Sequence, residues 1–323
     1  MNEAQPVYEI KNLTKVYKSG SSPANDNIGL EIREGEIFGI FGPNGAGKTT
    51  LVKQMAGLLK PTSGSILLKG VDVAQNPKII PVYTAYFAQA PWILWSLKVW
   101  ETIYFTGIFR GMAKKDAREQ TEELMKDLDL YDIRDRLMER ISGGQSKMLG
   151  IATTLIGNRP ILILDEPTND LDPLNRRKCW RLFSRLCREK GVTIVLVTHN
   201  VLEAEQVVDR VIIVDKGKII AGGTPAELKE QVDDRVRIEI NFKPGSALDP
   251  RRIIESATNG SEIREIMPGK WRIFIPKERV SSVYEQVMKK VNLSHLDDFR
   301  LTTTTLEDVY IRMGGRFGDF DAK

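Results

Sequence analysis

The chain is poor in cysteine. Its 323 residues include two, Cys179 and Cys187, both in the helical-looking run LNRRKCWRLFSRLCREK. Eight helical residues separate them by about 12 Å, too far for a disulfide. They are expected as free thiols, as in a cytosolic protein. An excess of one charge is also missing. Lys and Arg number 47 against 43 Asp and Glu, a net +4, which permits contact with acidic lipid or nucleotide without demanding nucleic acid. The opening MNEAQPVYEI has neither a basic n-region nor an apolar h-region, so no export signal is expected. No fixed-period repeat or low-complexity tract occurs. Long uncharged runs are limited to Ile79–Leu97, nineteen residues without a charge. Pro81, Gln89 and Pro91 interrupt it, and its apolar positions are not helically continuous, so a membrane span is rejected.

What is present is a soluble globular composition, 41% hydrophobic and 28% charged, long enough for two or more cores. Up to about residue 230, strand-like and helix-like runs alternate. EIFGIFG leads into a glycine loop, and KTTLVKQMAGLL follows it as a helix. PILILDEP and VTIVLVTH are charge-free and β-branched until their polar ends, the pattern of buried parallel strands. RVIIVDKGKIIAGG predicts a hairpin around Lys216–Gly217. Between Pro91 and Arg140 the texture is helical, through KKDAREQTEELMKDLDLYDIRDRLMER, as for a helical subdomain inserted into the sheet at about 91–150. After Gln231 the order is RVRIEINF strand, PRRIIESA helix, SEIREIM and KWRIFIP strands, ERVSSVYEQVMKKV helix and LDDFRLTTT strand. That β-α-β-β-α-β order matches a small split-βαβ, ferredoxin-like α+β domain over 231–323, closed by the helix TLEDVYIRMGG.

The loop GPNGAGKT, Gly42 to Thr49, fits the phosphate-loop pattern G-x-x-x-x-G-K-[ST]. Its glycines let several backbone N–H groups face one anion. Lys48 is placed for the β- and γ-phosphates and the Thr49 hydroxyl for Mg²⁺. ILILDE supplies matching acids: Asp165 to hold the metal through water, and Glu166 to polarise the attacking water. His199 ends a strand expected beside ILILD, which suits a γ-phosphate contact. A second anion-suited helix start lies a hundred residues on, in ISGGQSKMLGIATTLIG from Ile141 to Gly157.

This combination resembles the ATP-binding subunit of an ABC transporter over roughly residues 7–230, and the fold it implies is an α/β P-loop ATPase cassette. Gly42, Pro43, Asn44, Gly45, Ala46, Gly47, Lys48, Thr49 and Thr50 resemble the Walker A loop. ILILDE resembles Walker B, and ISGGQ, with Ser142, Gly143, Gly144 and Gln145, the ABC signature. Gln89 resembles the Q-loop glutamine, a catalytic group and metal contact. Asp172 resembles the D-loop aspartate, His199 the switch histidine, and Tyr17 in LTKVYKSG the aromatic that stacks on adenine. The resemblance implies ATP and Mg²⁺, and it explains the two helix starts. Two subunits pack head to tail, each ATP lying between the Walker A loop of one and the signature of the other. Departures are Ile141 for the usual leucine, Ala88 where proline is common and Asp170 where glycine is common. None removes a catalytic group, so a homodimer could be fully active.

The reading that follows is an ATPase at the cytoplasmic face of the membrane, powering a separate multi-span permease. TLEDVYIRMGG after the α/β extension resembles the exporter-type subfamily. The alternative is a soluble ABC-type ATPase acting on a ribosome or DNA. Such proteins usually carry two cassettes or long coiled coils, whereas here about ninety residues separate Lys48 from Ser142. A GTPase would need the guanine-reading N-K-x-D run, which is absent, and a kinase has no use for ISGGQ. Trp92, Trp95 and Trp100 crowd together just past Gln89. The resemblance places Trp92 and Trp95 in a docking groove for a permease helix, with Trp100 in the core.

Overall fold

A computed structural model describes residues 6–18, 22–89, 96–232, 235–243, 250–258, 260–290 and 295–313. The backbone divides into two compact units, the first running through Pro225 and the second covering Ala226–Gly314.

The first unit is built on two sheets. One is antiparallel, with β1 (Pro6–Lys15), β2 (Asn25–Arg33), β4 (Ser63–Leu68) and β5 (Val71–Asp72) in the order β2-β1-β4-β5. The other contains β3 (Ile37–Phe41), β6 (Thr84–Phe87), β7 (Ile161–Asp165), β8 (Thr193–Val197), β9 (Arg210–Asp215) and β10 (Lys218–Gly223). Its order is β10-β9-β3-β8-β7-β6, parallel throughout except for β10. The predicted charge-free runs IFGIF, ILILD and TIVLV are its central strands β3, β7 and β8, buried at every position. Each fully buried Ile, Leu, Val or Phe there stabilises the fold by about 1.5–3 kcal/mol.

Helix α1 (Lys48–Met55) packs between the sheets. Tyr8, Leu13 and Ile32 from the antiparallel sheet join Leu51 and Val52 of α1 and Ile40, Ile163 and Val197 of the parallel sheet in one core. The run KTTLVKQMAGLL stops being helical at Met55. Gly57 takes a left-handed φ of 71°, and Leu58 N–H returns to the Lys53 carbonyl at 2.9 Å. That six-residue closure ends a helix. The uncharged segment Ile79–Leu97 begins as a short turn, α2 (Ile80–Tyr83), and continues as strand β6. Among the described residues no helix is long and apolar enough to cross a membrane.

Helices α3 (Val99–Phe109), α4 (Lys114–Asp127) and α5 (Gly143–Leu155) lie between β6 and β7 in the chain. The helical texture predicted to Arg140 breaks at Asp127. Asp129 turns left-handed at φ 54°, Leu130 N–H bonds the Met125 carbonyl at 2.8 Å, and short 3₁₀ turns follow. Helix α6 (Pro173–Lys190) starts on Asp172 and stops at left-handed Gly191. It carries both cysteines, buried and unbonded to each other. The four-residue α7 (Val201–Ala204) follows His199. The predicted hairpin at Lys216–Gly217 is present, both residues having positive φ, as a two-residue type I′ turn requires.

After α8 (Pro225–Val232), the second unit runs β11 (Val236–Phe242), α9 (Pro250–Thr258), β12 (Glu262–Met267), β13 (Lys270–Ile275), α10 (Val280–Lys290), β14 (Leu296–Thr302) and α11 (Leu306–Arg312). Its sheet is antiparallel in the order β12-β13-β11-β14. Ile238, Ile240, Ile273 and Ile275 pack with Ile254 of α9 and Val283 and Val287 of α10.

Candidate functional site

The site grows from the carboxyl ends of β3, β7 and β8. The parallel register pairs Asp165 with Val197. Glu166 and His199 therefore lie one and two residues beyond neighbouring strand ends. Across β3, the chain turns into the glycine loop that starts α1.

That loop tolerates no side chain at two of its glycines. Gly47 has a φ of 103°, and a Cβ there would stand 2.0 Å from the Ala24 carbonyl oxygen. At Gly42, with φ 148°, it would stand 2.1 Å from the Val214 oxygen. Buried Asn25 fastens the loop, donating to the Gly47 carbonyl at 3.1 Å and accepting from Gln54 at 2.8 Å. Helix α1 has no side-chain cap, so no capping side chain competes for its first N–H groups. Gly45 opposes nothing within 4 Å.

Lys48 is buried and donates to the carbonyls of Gly42 (2.7 Å) and Pro43 (2.9 Å). Burial holds its ammonium below the usual lysine range, against the opposing pull of Glu166 and Asp165. Thr49 Oγ1 donates to Asp165 Oδ1 at 3.3 Å, and the Tyr86 hydroxyl to Asp165 Oδ2 at 3.3 Å. Burial pushes the Asp165 carboxyl up, while the Thr49 and Tyr86 hydrogen bonds and Lys48 oppose the shift. Burial, followed by the Asp165 charge, raises the Tyr86 phenol.

Glu166 is 5% exposed and sits at a left-handed φ of 52°, uncommon for a residue with a side chain. Its N–H donates to the Val197 carbonyl at 2.9 Å, its Oε1 lies 2.9 Å from His199 Nδ1, and its Oε2 is buried without a hydrogen-bond partner.

Thus Lys48, Thr49, Asp165, Glu166 and His199 are joined by contact or charge, with Tyr86 as a member the sequence reading missed. Tyr17 lies beside the loop, its hydroxyl 3.4 Å from Thr50 Oγ1, and the residue is 42% exposed. Gln89 is exposed, two residues beyond Phe87, which pairs with Leu164 just before Asp165.

The second helix start is organised differently. Ser142 caps α5, accepting from Gln145 N–H at 3.3 Å, while Gln145 Oε1 accepts from Ser142 N–H at 3.0 Å. Ser142 and Gly143 are exposed. Asp172 is likewise a helix cap, accepting from the N–H groups of Leu174 (3.0 Å) and Asn175 (3.1 Å) and from the Asn175 amide (2.6 Å). Hydrogen bonds from Asn175 hold its carboxyl below the usual range. The loop between Glu166 and Asp172 is tied to α5 by Lys147, which donates to the Asn169 carbonyl at 2.7 Å beside Asp170. Burial lowers this ammonium, against Asp170 and Glu166. Trp100 is half-buried on α3, its ring 6.0 Å from that of Tyr104. Trp92 and Trp95 lie outside the described residues.

The donor set fits a triphosphate with a divalent cation. It offers an open backbone cradle at Gly45, a buried ammonium, a hydroxyl sharing a carboxylate, and an unpartnered carboxylate oxygen. Among the described residues no cluster of three acidic, histidine or cysteine side chains could hold a metal alone.

Comparison with known proteins agrees. The family model described as ABC transporter matches residues 25–169. The daunorubicin/doxorubicin resistance ATP-binding protein DrrA of Streptomyces peucetius is 31% identical over 96% of this chain and 93% of its own length. ABC transporter A family member 7 of Dictyostelium discoideum is 32% identical over 97% of this chain. The chain spans 37% of that relative's length, and about a third of several Arabidopsis thaliana relatives it matches. Among solved structures, a dimeric ATP-binding cassette in a post-hydrolysis state, bound to ADP and Pi, superposes with a TM-score of 0.63. It is 29% identical and covers 67% of this chain and 98% of its own. The α/β fold, the phosphate-loop geometry and these likenesses place the chain in the ABC transporter family, as one of its ATP-binding ATPase cassettes.

Proposed function

We propose that two copies of this ATPase close head to tail around ATP and drive transport, in the direction of export, through a separate multi-span permease. The carrying observation is the constellation in which buried Glu166 touches partly buried His199 beside the Thr49–Asp165 pair.

In this reading the loop from Gly42 to Thr50 binds the phosphates, with Lys48 on the β- and γ-groups and Tyr17 stacked on adenine. Thr49, Asp165 and Gln89 would hold Mg²⁺, which neutralises phosphate charge when bound. Glu166 accepts the proton of the attacking water. Its second oxygen is buried with no competing partner, so its acceptor capacity is not taken up by another protein group. His199 orients the carboxylate and contacts the γ-phosphate. Ser142, Gly143, Gly144 and Gln145 of one copy meet the γ-phosphate held by the other, with Asp172 at the same interface. The anion is then shared by two positively polarised helix starts, and hydrolysis releases the clamp.

Likeness to a resistance ATP-binding protein supports export. A groove lined by Phe87, Ala88, Phe105 and Phe109, the last 83% exposed, begins beside Gln89 and supports docking of a cytoplasmic permease helix there. Helices α3 to α5 are then the inserted helical subdomain. The strand order β12-β13-β11-β14 supports a ferredoxin-like accessory domain. The protein would sit peripherally on the cytoplasmic face of the membrane.

Glu166→Gln tests the core of this reading. ATP binding should persist while turnover falls about 10²–10⁴-fold, and an ATP-bound dimer should accumulate in size-exclusion chromatography with light scattering. Near-normal turnover would remove Glu166 from its role.

A further inference from the structure

Two charged residues outside every nucleotide motif join the segment beside Asp172 to the helix after His199. Arg176 lies near the start of α6, four residues after Asp172. One tip of its guanidinium donates to the Leu171 carbonyl at 3.0 Å, and the other to Glu203 Oε1 at 2.6 Å. Glu203 belongs to α7, the short helix that begins two residues after His199. Its second oxygen accepts from the Trp180 indole at 3.1 Å. Its backbone N–H donates to Asn200 Oδ1, which caps α7, and Asn200 N–H in turn donates to Thr198 Oγ1 at 3.0 Å. A continuous chain of contacts therefore runs from the backbone beside Asp172 through Arg176 and Glu203 to the two neighbours of His199.

Helix α7 is four residues long, too short to fix its own orientation. What it is tied to must set where His199 points. The guanidinium suits this task because its planar fork reaches two acceptors on different elements at once, which a lysine ammonium on a flexible stem does poorly. Both partners are about a third exposed, 28% for Arg176 and 35% for Glu203, so solvent screens part of the pair's contribution to stability. A displacement of about 1 Å at a reacting group, by contrast, can cost about a hundredfold in rate.

We propose that Arg176 and Glu203 are positioning residues for hydrolysis, coupling the Asp172 loop to the helix behind His199 so that both reach Glu166 in fixed register. The proposal rests on the roles given above to Glu166 and His199.

The test uses the full chain and two conservative variants, Arg176→Lys and Glu203→Gln. Each should lower kcat by about ten- to a hundredfold, with KM for ATP within about twofold and the melting temperature nearly unchanged. A second readout needs no nucleotide. The chain has two histidines, so in an NMR spectrum the His199 imidazole signals should shift in both variants while those of His295 stay put. Adding Arg176→Lys to His199→Ala should bring no further loss of kcat. The proposal is overturned by retained kcat, by a fall in melting temperature that tracks the loss, by an unmoved His199 signal, or by multiplicative losses. Full turnover in His199→Ala would sink the reading of the site itself. A dead His199→Ala beside a fully active Arg176→Lys would sink only the positioning pair.

Discussion

Two helices in this chain begin where a phosphate could bind, and they are finished differently. Helix α1 starts at Gly47 with no side-chain cap, and the loop before it is shaped by backbone contacts too close for any side chain. Helix α5 starts at Ser142 with its own capping box, Ser142 and Gln145 satisfying each other's backbone groups. The first end leaves its N–H groups for an anion at all times. The second already has a partner for part of its donor set, and an anion arriving there must compete with it. In the function proposed above, α1 would be a standing site and α5 a conditional one, as a clamp that holds nucleotide first and closes second requires.

Gly47→Ala should break the standing site, with the largest effect. A methyl group at a left-handed position 2.0 Å from a carbonyl oxygen forces the loop open and should cost about 2 kcal/mol or more in folding stability. ATP binding by a fluorescent analogue should be lost, and urea unfolding should show the destabilisation. Full ATP affinity in this variant would mean the loop is not the primary site.

Ser142→Arg addresses the conditional site. Its position is exposed in the single chain, so ATP binding to the monomer should be unchanged. A large cation in the closed interface should weaken ATP-dependent dimerisation at least about thirtyfold, the scale of an interface hot spot. Mixing with Lys48→Ala chains leaves at most one intact composite site per heterodimer. Normal dimerisation of the Ser142 variant on ATP would contradict head-to-tail closure.

Gln145→Ala sharpens the comparison at the smallest scale. It removes half of the capping box and should lower stability by about 0.5–1 kcal/mol, with monomer affinity for ATP untouched. Thermal melting and nucleotide titration check the two halves of this expectation. A loss as large as that of Gly47→Ala would mean that both helix starts are structural in the same way.

The parts of the site readable from sequence were those written in consecutive residues. The glycine loop, the charge-free strands ending in Asp165 and His199, and the Lys216–Gly217 turn are each specified locally by composition and spacing. The antiparallel sheet is not legible in the sequence pattern. Its strands β1 and β2 carry charges on their open positions and are interrupted by Asn12 and Asn27 with positive φ, so their alternation is imperfect. The helical texture runs past the end of α4 at Asp127 because Asp129, left-handed in the structure, carries no helix-stopping signature as strong as glycine. Tyr86 was missed because its place beside Asp165 depends on β6 pairing with β7. Arg176 and Glu203 were invisible for a similar reason, since α6 and α7 are separated in the chain by strand β8.

The hairpin turn at Gly217 has one more consequence. Its N–H donates to the Ala46 carbonyl at 2.9 Å and its carbonyl accepts from Asp26 N–H at 2.8 Å, so the turn stands directly against the phosphate loop. Ala46 is made early in synthesis, while Gly217 follows about half a chain later. A ribosome-bound nascent chain that ends before this turn would hold all the nucleotide-binding motifs and still lack the support that completes their shape. Nucleotide affinity should therefore arise late during translation and abruptly, when the β9–β10 turn emerges, as expected where distant segments must meet before a contact is gained.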